Sequence, residues 1–166
     1  MVIVGCTSVT SGTAQIDKGD APAYRTSVSS SIEASASRSS ARESQRQESL
    51  TTEAIHTVCE DLSSTSVDAI VAVNAYVGAF NDDAADVTAK AGPAIDALNR
   101  SADLVAAGIS DTLPGELRDG LTAWVDAARA VAVAVRDDYG PDDFNTAINR
   151  LNDSRDTALN LCDAAY

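Results

Sequence analysis

The stretch LRDGLTAWVDAARAVAVAV, residues 117–135, decides the fold. Leu117, Leu121, Trp124, Ala128, Val131 and Val135 recur at spacings of three and four, the period of one helix face. From Ala123 to Val135 the remaining positions are nearly all alanine or valine, broken by Asp126 and Arg129. A helix apolar almost all round must be covered by neighbours. Its apolar run is also too short, with two charges in it, to cross a bilayer. The stretch therefore predicts a helix at the centre of a bundle. The other use for so much apolar surface is a second face for a partner or a lipid, with Trp124 and Val131 lining it.

Working outward, the same period recurs. Leu113-Pro114-Gly115 makes the corner before this helix, with proline suited to a first turn. Upstream, Val87, Ala91, Ile95, Leu98, Ala102, Val105 and Ile109 mark another helix. Pro93 inside it removes a backbone donor, so the spacing predicts a kink there or a start at Pro93. Downstream, Tyr139-Gly140-Pro141 is the next stop, with Gly140 expected as the C-cap. A last helix follows with Phe144, Ala147, Ile148, Leu151, Ala158, Leu161, Cys162 and Ala165, and Asp142 and Asp143 suit its positive start. Before residue 87 two further helices are expected. One carries Leu50, Ala54, Ile55, Val58, Cys59 and Leu62; the other carries Val67, Ile70, Val71, Val77 and Phe80. Ser63-Ser64-Thr65-Ser66 separates them, and Thr65 with Asp68 looks like the start of a capping box. The expected fold is all-α, a four- to five-helix bundle over residues 48–166.

Composition agrees. Among 166 residues aromatics make up 4%, and alanine and valine supply most of the apolar content. Small side chains suit closely packed helices better than strands. The net charge is −13. Basic and acidic groups nearly balance over residues 1–47, so the deficit falls on residues 48–166. So acidic a surface repels phosphate backbones and anionic headgroups, which argues against nucleic acid as a partner.

Residues 7–47 read as a Ser-rich, largely disordered tether, because they bury too little apolar surface to offset the entropy of ordering. A flexible chain of this length spans ~35 Å. For its second half there is a rival reading. Ile32, Ala34, Ala36, Ala41 and the charges from Arg38 to Glu48 suit an exposed helix running into the bundle.

Ile3-Val4-Gly5-Cys6 resembles a bacterial lipobox, in which aliphatic and small residues precede the cysteine that becomes lipidated. Cys6-Thr7-Ser8-Val9-Thr10-Ser11-Gly12-Thr13-Ala14 is similar to the mature N-terminus of actinobacterial lipoproteins. The resemblance implies that residues 1–5 are the remnant of a signal peptide, whose apolar core alone needs roughly 7–15 residues. The reading frame is then expected to begin upstream. It also implies export, a membrane partner reached through lipid on Cys6, and a place on the outer side of the cell membrane. It carries no catalytic residue.

With Cys6 assigned, Cys59 and Cys162 remain. Each lies on the apolar face of a predicted helix, the first and the last of the bundle. An exported compartment permits a disulfide between them. The alternative is two buried thiols acting as small apolar residues.

Catalytic patterns are sparse. His56 is the one histidine, and no sequence neighbour forms a familiar nucleophile or orienting pair with it. It is expected at the surface of its helix. Distant cysteines and one histidine do not make a zinc site. Asp82-Asp83 with Asp86, and Asp137-Asp138 with Asp142-Asp143, are dense enough to attract a hard cation but lack EF-hand spacing. They read as helix ends facing water, so no metal and no cofactor is expected. Ser154 and Arg155 interrupt the apolar face of the last helix. They mark a shoulder turned to water or, more sharply, the polar lining of a cavity.

Together these readings predict a non-enzymatic, lipid-anchored envelope protein that binds an envelope partner or plays a structural role. The second reading is a carrier holding an apolar ligand between its helices. A hydrolase with dispersed carboxylates is the third.

Overall fold

The computed structural model describes residues 21–82 and 84–166. Residues 1–5, expected as a signal-peptide remnant, Cys6 and the first part of the expected tether lie outside them. Four helices follow in order: α1 Ala21–Asn81, α2 Val87–Gly108, α3 Gly115–Arg136 and α4 Pro141–Ala165. Among the described residues there is no strand, and no helix is long and apolar enough to cross a membrane. The all-α expectation holds, with four helices rather than five.

The chain divides into two units, at Gln45 and Arg46. In the first, residues 21–45 are helical and exposed along nearly their whole length. This corrects the reading of residues 21–47 as flexible; the rival helix is the one observed. Its hydroxyls are satisfied locally. Thr26 Oγ1 donates to the Pro22 carbonyl at 3.0 Å, and Ser31 Oγ to that of Ser27 at 2.9 Å. A serine that bonds the preceding turn ceases to compete with the helix around it.

The second unit, residues 46–166, is the bundle. Helix α1 pairs antiparallel with α4: His56 meets Tyr166, Cys59 meets Cys162 and Tyr76 meets Phe144. It also pairs antiparallel with α2, through Val58 against Gly108 and Thr65 against Ser101. Short connections then place α3 between α2 and α4 in an up-down-up-down order.

The Ser63–Ser66 break is corrected: α1 runs straight through it. Ser64 Oγ donates to the Glu60 carbonyl at 2.8 Å and Thr65 Oγ1 to that of Asp61 at 2.6 Å. Thr65 is therefore no cap. Because the helix is unbroken, its buried face keeps one register through Ile55, Cys59, Leu62, Ser66, Ala69, Val73 and Tyr76. These alternate by four and three, a single heptad seam. Val67 and Val71, expected in the core, are 56% and 64% exposed, and Phe80 is 42% exposed.

Helix α3 is the most buried, and all six residues of its predicted face lie in the core. Helix α2 begins at Val87, so Pro93 sits inside it, on the exposed side. There the carbonyl left without a donor can face water. The stop after α3 is also corrected. Asp138, with φ 52°, takes the left-handed position, and the Tyr139 amide donates to the Ala134 carbonyl at 3.0 Å. That is the long bond of a Schellman motif. Gly140 instead precedes α4, and its carbonyl accepts from the Phe144 amide at 3.0 Å. Pro141 opens α4, with Asp142 and Asp143 in its first turn as expected.

Candidate functional site

Cys59 and Cys162 form a disulfide, with sulfurs 2.01 Å apart across a sequence separation of 103. It joins the first and last helices of the bundle and is buried at both cysteines. His56 lies one turn away on the exposed side of α1, its ring centroid 4.5 Å from that of Tyr166. The structure thus places it against an aromatic ring, at the surface.

Helix α4 buries fewer residues than α3, and a cleft of about 100 Å³ opens beside it. Trp124, Leu98, Ile148 and Leu151 form apolar walls; Asn74, Asn152 and Arg155 add polar edges. Trp124 is 2% exposed, so only an edge of the indole reaches this space. Val131, expected beside it, is fully buried in the core and is not part of the cleft wall. The reason is register: two turns along α3 from Trp124, its side chain is covered by the packed helices.

The pair that interrupts α4 divides. Ser154 Oγ donates to the Leu151 carbonyl at 2.9 Å, a local bond of its own helix. Arg155 lines the cleft, as the cavity reading has it, while its side chain remains 29% exposed. One of its terminal nitrogens donates to Asp156 Oδ1 at 3.3 Å. Its Nε is buried and has no partner among the described residues. A buried donor without a partner is costly, and among the described residues the buried side-chain atom so left is this Nε.

A second, larger cavity of about 250 Å³ lies where α1 ends and α4 begins. Tyr76, Phe80, Tyr139 and Phe144 line it. Sequence reading passed over this site because the four are scattered between residues 76 and 144. The signal was the cysteine pair. Nearly equal steps along α1 from Cys59 and back along α4 from Cys162 reach Tyr76 and Phe144 in antiparallel helices.

The aspartates at the helix ends are partly engaged. Asp86 lies 3.7 Å from the Lys90 ammonium, and Asp137 accepts from Arg136 at 2.9 Å. Among the described residues no group of carboxylate, histidine and cysteine side chains is placed to hold a metal ion.

No solved structure matches this chain. A Mycobacterium tuberculosis protein carrying the name "Uncharacterized protein MT2300" is 55% identical over 170 residues, spanning all of this chain and 84% of the relative. The model of the Rv2240c four-helix bundle domain matches residues 41–163, a range that takes in α2, α3, the body of α4 and the bundle part of α1. With four antiparallel helices closed by the Cys59–Cys162 bond, the chain belongs to the Rv2240c four-helix bundle domain family.

Proposed function

We propose that this protein is an extracytoplasmic, lipid-anchored module of the cell envelope that binds a partner and catalyses no reaction. The observation that carries the reading is the Cys59–Cys162 disulfide. Such bonds persist in oxidising compartments and are rare in the cytosol. Ile3-Val4-Gly5-Cys6 and the polar run after it supply the anchor. The position of His56 at the surface, against Tyr166, supports a binding role over a catalytic one. The test is detergent phase partition of the protein expressed from its own chromosomal locus. Wild type is expected in the detergent phase and Cys6→Ala in the aqueous phase. Recovery of both in the aqueous phase would remove the anchor.

One observation favours a second reading, a carrier. The Trp124 cleft has apolar walls and an Arg155 Nε without a partner, a combination that suits an amphiphile with an anionic head. At about 100 Å³ it encloses a head group and not a long chain. Trp124 is the sole tryptophan, so its emission reports occupancy. Dodecanoate should shift it in wild type and not in Arg155→Met; no shift in either excludes the carrier.

A further inference from the structure

The chain has one tryptophan, four tyrosines and two phenylalanines. More than half of them converge on the cavity at the end of the bundle away from the disulfide: Tyr76, Phe80, Tyr139 and Phe144. Their rings are not stacked into a plug. The Tyr76 centroid lies 6.3 Å from that of Phe80 at an interplanar angle of 39°, and 6.1 Å from that of Phe144 at 56°. Tilted rings of this kind wall a space and leave about 250 Å³ between them. Phe80 and Tyr139 are 42% and 45% exposed, so the space is reachable from solvent.

Two further observations say what the space accepts. Tyr76 is 6% exposed and lines the cavity, and its hydroxyl, which bonds no other described residue, is not sealed from solvent. Burial, with the charge of Asp138 second, holds its phenol above the ordinary value of 10.0, so it remains a donor at neutral pH. The second observation is charge. Asp82, Asp137, Asp138, Asp142 and Asp143 all belong to this end, while its cations Lys90 and Arg136 are each engaged by an aspartate, Asp86 and Asp137. The mouth is strongly negative.

An aromatic face attracts a cation through its quadrupole, and several faces around one space recognise alkylated ammonium groups. A negative rim raises the local concentration of cations and repels anions. A neutral apolar ligand gains from the rings and nothing from the carboxylates. We propose that the cleft formed by Tyr76, Phe80, Tyr139 and Phe144 binds a small organic cation, an alkylated ammonium bearing a hydroxyl or ether oxygen. The rings hold the ammonium, Asp138 supplies the field, and the Tyr76 hydroxyl donates to the oxygen.

The test is titration of the disulfide-intact chain, followed by amide NMR, with choline and with its neutral isostere 3,3-dimethyl-1-butanol. Choline is expected to give saturable shifts confined to Tyr76–Asn81 and Tyr139–Asn145. Its affinity should exceed that of the isostere about tenfold. Phe80 is exposed, so Phe80→Ala should leave the fold intact and weaken choline by a similar factor; Asp138→Asn should weaken choline and leave the isostere unchanged. Tyr76→Phe should reduce choline to the affinity of tetramethylammonium. Equal binding of choline and the isostere would overturn the proposal, showing an apolar pocket indifferent to charge. So would unsaturable shifts, or shifts at this site with methyl glucoside and none with choline.

Discussion

Ser101 is 1% exposed, and its side-chain hydrogen bond among the described residues is with Thr65 Oγ1, at 2.5 Å. The Thr65 hydroxyl gives its proton to the Asp61 carbonyl, so Ser101 is the donor in the pair. The two ends of the contact therefore differ. Thr65→Val strands a buried donor and should cost about 1–2 kcal/mol, whereas Ser101→Ala leaves the Thr65 proton satisfied and should cost less. The double variant should recover most of the Thr65→Val loss in urea melts. None of this was legible in the sequence, because a serine or threonine signals a helix start and a back-bonded helix interior with the same letters. Tyr76 gives a residue-scale pH dependence. Its folded-state pKa lies above 10.0, so its contribution to stability is complete below that value. It is lost as pH rises through the folded pKa. Tyr76→Phe should flatten the alkaline decline in stability, and absorbance titration should lose one phenol that ionises above 10.0.

At the scale of elements, α3 could be read outright, since its apolar face is long, regular and uninterrupted. Helix α1 could not. Val67 and Val71 outweigh Ser66 and Ala69 in a search for apolar periodicity, yet the seam continues through the smaller pair. The connection after α3 misled for a related reason: glycine is the usual left-handed residue, but Asp138 holds that position here. Where α2 meets α1, a glycine is required by proximity. A Cβ on Gly108 would lie 2.9 Å from Val58 Cγ2 and 3.0 Å from its Cβ. Val58 is fully buried and β-branched, so it cannot swing aside. Gly108→Ala should cost about 1–3 kcal/mol by overpacking. Gly120→Ala is the internal comparison, because its Cβ would meet the tip of Leu161, a half-buried and flexible side chain. It should be closer to neutral in thermal melts.

For the whole molecule, the bundle and its closing bond were both legible; the Trp124 cleft was legible only through Trp124 and Arg155, and the aromatic cavity was not. Periodicity reports which residues point inward along one helix; a cleft depends on how four helices fail to fill the space between them. Residues 46–166 rest on one core whose largest members are Trp124 and several leucines, with α4 contributing mainly half-buried side chains. The bond from Cys59 to Cys162 holds that helix to α1. In the chain-entropy account, closing a loop of this size stabilises by about 4–5 kcal/mol. Replacing both cysteines by alanine should lower the urea midpoint accordingly, and α4 should lose amide-exchange protection first. The same bond underlies the proposed compartment. The most direct measurement is the intact mass of the protein taken from its own cells by alkylation without reduction. A chain starting at Cys6, carrying acyl mass and unalkylated at Cys59 and Cys162, is the result expected. A chain that retains residues before Cys6 and is alkylated at both of the other cysteines would contradict the account.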